Sequence, residues 1–487
     1  MITPDSPDRQ YSTRLRTALV LTGSGTAGAY HAGVLRALHE AGVRIDLVAG
    51  RGAGAIGAYL AAVDGGPRLW EADGIWRSPA ARSFYGWRTP LRLAGWALLA
   101  AVAVFALPLA LLAVAVLVGL AGLLMTLVGF EGAGASLTAA YSGWVATLFA
   151  PTALPTVVPR LALFALLVAC AILVGGVVAG MARGNPRRRS RQGVVGRLVG
   201  SPLSASSIVH RTTTELWNLI RGAAPMAAPP RAELARRYTE LLSENLGQPG
   251  FRELLVAVHD MDARRDLVFA MLGPAQRTRF FARPALAEGP RQSEAFDLAG
   301  VGREHALDAL AAALTVPLAT EPELVTFSPE GPWRGETHRL CDRPGALARL
   351  LEEVAAAGAE QVILLTAAPP PGKVHELSSG RADLRGSAGE QLAAFESSGL
   401  RDVLENFAGR FARLFLIRPS HNPLGPLDFT GVFDERSDRM HSMAELVDRG
   451  YEDAYRQFIE PVVGASGERI QSSPPEPRRG AVGAIEL

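Results

Sequence analysis

Hydrophobic residues follow two different rhythms along this chain. From Leu15 to Gly66, short apolar runs alternate with glycine turns and longer mixed stretches. "TALVLTG" predicts a buried strand and "GAYHAGVLRALHEAG" a helix that stops at Gly42. "IDLVAG" predicts a second strand, and "AGAIGAYLAAVDGG" starts a second helix. The same rhythm returns late in the chain. A helix is expected from Ala232 to Leu246, strands in "FRELLVAVHDMDARRDLVFAML", and a helix in "HALDALAAALTVP" that ends before Pro317. "ALARLLEEVAAAGAEQVILLTAAPP" reads as helix, glycine stop and strand, "RFARLFLIRPS" as a strand, and "SMAELVDRGYEDAYRQFIEPV" as a helix. Strands alternating with helices predict an α/β fold with a mainly parallel sheet.

The second rhythm is continuous apolarity. From Leu93 to Ala182 the only charges are Glu131 and Arg160. One run spans Gly95 to Phe130 and holds Pro108; another spans Leu161 to Met181. About 20 apolar residues cross a bilayer as a helix. The second run fits one crossing, and the first fits one long tilted helix or a tight pair. Arg82, Arg88 and Arg92 precede the first run, while Arg183, Arg187, Arg188, Arg189 and Arg191 follow the second. The segment from Glu131 to Pro159, expected as a loop, has no basic residue. Positive flanks stay in the cytoplasm, which predicts an even number of crossings, two in the simplest case. The competing reading is a buried helical hairpin in a large soluble core. The arginine cluster also suits anionic lipid, and Trp70, Trp76, Phe84, Tyr85 and Trp87 read as an interfacial aromatic belt.

This divides the chain into a disordered N-terminus (1–14), a first part of an α/β domain (15–90) and a transmembrane hairpin (91–183). A basic return segment and linker (184–231), a second part of the same domain (232–463) and a disordered tail (464–487) follow. With 48% hydrophobic residues the chain can bury a sizeable core, and its net charge of +2 argues against nucleic-acid binding through bulk charge. Lys373 is the only lysine. Cys170 lies in an apolar run, so a disulfide with Cys341 is not expected. The N-terminal residues have no apolar core and make no secretory signal. A multi-pass membrane protein with its folded domain in the cytoplasm is the expected location.

Two glycine turns carry the candidate chemistry. Thr22 to Gly28, "TGSGTAG", matches G-x-G-x-x-G at Gly23, Gly25 and Gly28 between a strand and a helix. A dinucleotide site also needs an acidic residue at the end of the second strand, whereas Asp46 stands at its start. Instead that strand runs into Gly50, Arg51, Gly52, Ala53 and Gly54, then a helix. Strand, G-x-x-x-G and helix form the arrangement of a nucleophile elbow, whose central side chain projects beside N–H groups that can hold an oxyanion. The central residue here is Gly52.

Together, "GSGTAGAYHAGVLRALHEAGVRIDLVAGRGAGAIGA", the later "ALAAALTVP", "CDRPG" and the closing "PLGPLDFTG…LVDRGYEDA" resemble the patatin-like phospholipase family. The likeness is strong over residues 15–66 and diffuse over 250–463. It implies a three-layer patatin-like domain interrupted by the hairpin, a lipid acyl hydrolase class, and a serine–aspartate dyad. Gly52 falls on the serine position and Ala27 on the basic residue of the oxyanion loop. Asp342 falls on the aspartate, but Arg343 and Pro344 replace the small residues after it. Glycine has no nucleophile, so the resemblance implies an impaired enzyme. Gly23, Ser24, Gly25, Thr26, Gly28 and Arg51 are then the expected oxyanion or anion-binding residues, Arg51 as a fixed cation at a helix start.

Other candidates are weaker. Cys341, with His338 and Glu336 nearby, has the composition of a thiol nucleophile, but His338 and Cys341 face apart on a strand. Ser24 is a second substitute nucleophile, and orienting backbone or ligand is its competing role. His31 reads as packing. His259, Asp260 and Asp262 form a polar knot at a strand end. No cofactor and no metal is expected. The expected partners are membrane lipids, and the oligomeric state is left open. A module whose membrane spans do the main work, packing through small residues in "LVGLAG" and "LVGGVVAG", is the remaining alternative.

Overall fold

The computed structural model describes residues 11–148, 154–183, 201–282, 293–331, 333–368, 384–407, 409–420, 424–434 and 439–464. Residues 1–10 of the N-terminus expected to be disordered, the tail from 465 and the arginine cluster in 184–200 lie outside them. Within the expected disordered N-terminus, Tyr11 is instead held, its hydroxyl donating to the Arg44 carbonyl at 2.7 Å and its ring packing on Phe458. The described chain divides into two compact units, one of residues 1–86 with 203–487 and one of residues 87–202.

In the first unit, the alternation read from the sequence becomes a nine-stranded sheet. Its strands are β1 (Thr17–Leu21), β2 (Leu47–Gly50), β3 (Glu253–Asp260), β4 (Arg265–Met271), β5 (Ser293–Asp297), β6 (Glu323–Thr326), β7 (Thr337–Cys341), β8 (Gln361–Leu365) and β9 (Arg413–Ile417). The order is β9-β8-β1-β2-β3-β4-β5, with β7 paired to both β3 and β6. β9, β8, β1, β2 and β3 run parallel. β4 and β7 are antiparallel to β3, and β6 is antiparallel to β7.

Strand periodicity sends alternate residues to opposite faces. In β1, Leu19 and Leu21 join one core, while Ala18 and Val20 join the other. Ile363 and Leu365 of β8 split from Val362 and Leu364 in the same way. Both faces are therefore covered, and the fold is a mixed α/β arrangement with a mainly parallel central sheet. Helices α1 (Ala27–Glu40) and α2 (Gly54–Ala62) follow β1 and β2 directly.

Residues 206–221 fall where a linker was expected and form an amphipathic helix, which buries Ile208, Leu216 and Trp217 in the first core. The aromatic belt is corrected in part. Trp76, Phe84 and Tyr85 are core residues, and Trp70 packs partly buried against the same core, because the segment, with a short 3-10 turn at Pro79–Ser83, folds back so that the Trp76 ring lies against Gly28 of α1. Only Trp87 is largely exposed.

The second unit is helical. Helix α3 (Thr89–Leu127, 39 residues) is continuous through Pro108. Helices α4 (Glu131–Leu148) and α5 (Leu154–Arg183) follow. The expected loop is thus largely helix. Small residues permit it to pack on α3: a Cβ on Gly134 would lie 2.5 Å from the Gly122 carbonyl, and the Tyr141 hydroxyl donates to the Leu111 carbonyl at 2.5 Å. Among the described residues one helix is long and apolar enough to cross a bilayer, Leu109–Leu127, with Leu112, Leu117 and Leu120 exposed. The apolar stretch found in α5, Arg160–Gly175, is shorter.

Candidate active site

Parallel pairing places Leu21 opposite Gly50 at the carboxyl ends of β1 and β2. The glycine loop and the second turn therefore leave the sheet side by side. Thr22 anchors the loop, since its N–H and its hydroxyl both donate to the Leu365 carbonyl at 3.0 Å. Asp342 arrives from the other direction. It follows Cys341, which pairs with His259 across β7 and β3, and its N–H donates to the Thr315 hydroxyl at 3.1 Å. The structure brings Asp342 and Gly52 together: Oδ2 of Asp342 lies 3.0 Å from where a Cβ on Gly52 would stand.

That Cβ has no room. Gly52 has φ +56°, a left-handed conformation that favours glycine. The Gly23 carbonyl oxygen lies 2.3 Å from the same Cβ position. It also accepts the Ala53 N–H at 2.8 Å. Gly23 itself has φ +135°, which only a residue without Cβ adopts freely. In a nucleophile elbow, the N–H after the nucleophile is an oxyanion donor. Here a backbone carbonyl occupies that donor.

Arg51 turns inward. It is 2% exposed, and its Nη1 donates to both oxygens of Asp342 at 3.1 and 3.0 Å. Its Nη2 donates to Glu396 at 2.5 Å. Burial opposes the guanidinium charge, but the Asp342 and Glu396 carboxylates outweigh it and hold the pKa above the usual arginine value. Two carboxylates therefore surround one cation. The expected fixed cation for a bound anion is corrected: Arg51 is already neutralised from within. The Ser24 hydroxyl donates to Oδ2 of Asp342 at 3.0 Å, so donors occupy both oxygens of the aspartate.

The remaining loop residues close the site. Gly25 packs under the Pro426 carbonyl and Phe429, and Gly28 lies against the Trp76 ring. Thr26 is fully buried, and its hydroxyl has no hydrogen-bond partner among the described residues. His31 is also buried, with Nε2 3.1 Å from the Thr22 carbonyl, a contact that places its proton on Nε2. Burial, with a smaller push from the Arg51 charge and against the Thr22 contact, lowers its pKa to about 3. It is therefore neutral, and more than packing: its ring supports the carbonyl of the glycine loop.

Cys341 does not fit the role of nucleophile. Burial first, then the Asp342 and Asp260 charges, push its thiol up to about 12, whereas the thiolate is the reactive form. His338 instead pairs with Asp260 at 2.6 Å and contacts Glu336 at 3.3 Å. The polar knot resolves into local contacts: His259 Nδ1 lies 2.8 Å from Asp266, and Asp262 pairs with Arg339 at 2.7 Å. Arg343 holds Asp266 at 2.5 Å. Glu396 and Thr315 escaped the sequence reading. Glu396 sits on a helix remote from the motifs, and Thr315 lies within "ALAAALTVP", but no spacing signal links either to Arg51 or Asp342.

Sequence comparison finds the patatin-like phospholipase family over residues 19–342. No curated protein matches the chain. Among solved structures, VipD from Legionella pneumophila is similar at 10% identity, with 93% of this chain and 69% of that chain covered and a TM-score of 0.28. That likeness is too distant to carry any residue role across. The family match spans well over half of the 487 residues and encloses both glycine turns and Asp342; the chain belongs to the patatin-like phospholipase family.

Proposed function

We propose that this chain is a membrane-anchored member of the lipid acyl hydrolase class that has lost ester hydrolysis at its elbow and keeps a lipid-binding or scaffolding role. One observation carries the reading. The Gly23 carbonyl takes the space of a nucleophile Cβ and the N–H of Ala53 together. Nucleophile and oxyanion donor are lost by a single backbone arrangement. Arg51 supports it further by holding the aspartate that would act as base. With Arg51 neutralised, the ligand this reading favours is lipid contacted through apolar surface, not an anion held at the elbow. Anchoring rests on the exposed apolar helix Leu109–Leu127.

A second reading has one observation of its own. The Ser24 hydroxyl and Asp342 are 3.0 Å apart, which is the distance of a nucleophile and its base. Ser24 is 2% exposed, so access would require the loop to open.

The test uses the full chain in detergent, with phospholipid and short-chain ester hydrolysis and a fluorophosphonate probe. No turnover and no labelling are expected. Labelling that disappears in Ser24→Ala would establish the second reading, and turnover that survives it would overturn both. For anchoring, native membranes are extracted at alkaline pH. The chain is expected to stay in the pellet, and Leu117→Arg with Leu120→Arg, each costing about 2.5–3.5 kcal/mol at a span centre, to release it.

A further inference from the structure

We propose that the cleft at the amino-terminal end of the sheet, opposite the elbow, binds a phosphate group. The cleft has a volume of about 560 Å³. Arg16 precedes the first residue of β1, Asp46 precedes that of β2, and Arg252 precedes that of β3, so three adjacent strands start at its wall. Four of its charges are settled internally, as two pairs. Glu253 pairs with Arg16 and accepts the Gly273 N–H at 2.9 Å. Asp46 pairs with Arg44 at 3.0 Å and accepts the Thr17 N–H at 2.9 Å.

Arg252 is different. Its Nη1 donates to the Ala61 carbonyl at 2.6 Å and the Gly250 carbonyl at 3.3 Å. Among the described residues no carboxylate reaches it within ion-pair distance; Asp64 and Asp46 act on it only from farther away, and burial is the larger effect, lowering its pKa. Among the residues lining the cleft, three guanidinium groups thus face two carboxylates, and Arg252 is the one with no carboxylate at ion-pair distance among the described residues. Charges withdrawn from water are ordinarily paired. A phosphate oxygen pair matches the free edge of a guanidinium by a bidentate, charge-assisted contact. The volume exceeds what one phosphate fills, and Phe251 adds an apolar wall. The site therefore takes a phosphate carrying a small organic substituent, either a free phosphomonoester or a lipid headgroup. This site does not depend on the reading of the elbow.

The experiment titrates the full chain in neutral detergent with inorganic phosphate, glycerol phosphate and dihexanoyl phosphatidic acid. Calorimetry follows each, with chloride at matched ionic strength as reference. Saturable binding of at least one probe is expected, with the Kd about 10-fold weaker in Arg252→Met, the equivalent of one lost charge-assisted contact. Glycerol phosphate binding tighter than phosphatidic acid identifies the free ester; the reverse identifies the headgroup. Arg252→Met also frees two backbone carbonyls and could misfold. Arg44→Gln, at the more exposed of the cleft's two pairs, and Arg252→Lys, which keeps a cationic donor for the carbonyls, are therefore measured beside it and are expected to weaken binding at least about threefold. No saturable response by the wild type, or an unchanged Kd in all folded variants, overturns the proposal.

Discussion

Placing serine at Gly52 should damage this protein and yield no reactive nucleophile. In Gly52→Ser, a residue with a Cβ must adopt φ +56°, which costs roughly 1–2 kcal/mol. The new Cβ would stand 2.3 Å from the Gly23 carbonyl oxygen, so that peptide must rotate away. Rotation breaks the 2.8 Å bond from Ala53 N–H and leaves a buried donor unpaired, at roughly 1–3 kcal/mol. The sum is about 2–5 kcal/mol, a large part of a typical folding stability of about 5–15 kcal/mol. Thermal unfolding in detergent should fall by about 4–10 °C at roughly 2 °C per kcal/mol. Gly52→Ala should fall by nearly as much, because the hydroxyl plays little part in the clash. Neither variant should react with a fluorophosphonate. A Gly52→Ser protein that melts with the wild type and labels with the probe would refute the argument. The Gly23 carbonyl would then be a mobile flap over an intact oxyanion site.

Three further outcomes follow from named contacts. Arg51→Met leaves Asp342 and Glu396 buried without their shared cation, so the chemical denaturation midpoint should drop by about 3–5 kcal/mol equivalent; a change under about 1 kcal/mol would mean that water enters the site. His31 has a folded pKa of about 3 against an ordinary 6.5, so the unfolded chain takes the proton first as pH falls. Its contribution is fully present above about pH 6.5 and declines toward pH 3 at up to about 1.4 kcal/mol per pH unit. His31→Phe should flatten the stability profile in that window, and an unaltered slope would show that another group sets it. Gly450→Ala would put a Cβ 2.1 Å from the Tyr30 carbonyl, where α1 crosses the helix Met443–Ala454, and Gly33 faces Val447 with the same lack of room. Separating the helices should cost about 3 kcal/mol or more and expose α1 to limited proteolysis; protease resistance equal to wild type would contradict the close crossing.

Much of the fold was legible because its signals are local. A five-residue apolar run, a glycine stop or a strand-turn-helix order each depends on neighbours in sequence, and β1, α1, β2 and α2 appear where the pattern placed them. Helix 206–221 was missed because it is amphipathic without a continuous apolar run, and because proline and arginine around it read as linker. The inward aromatics Trp76, Phe84 and Tyr85 were misplaced because proximity to an apolar run says nothing of which way a short turn folds.

The amino-acid sequence by itself determined what was missing: no hydroxyl or thiol at Gly52, and no basic residue at Ala27. It also determined the parallel α/β layout, since residue type and spacing suffice for both. Only the tertiary structure decided what surrounds Gly52. The Gly23 carbonyl lies against it, Arg51 points inward, Asp342 arrives from the other end of the chain, and Glu396 closes the ion pair from a helix with no motif. These choices depend on backbone dihedrals and on charges separated by hundreds of residues, which meet only when the sheet is assembled. The same holds at the opposite end, where only the convergence of three strand starts leaves Arg252 bonded to carbonyls with, among the described residues, no carboxylate at ion-pair distance.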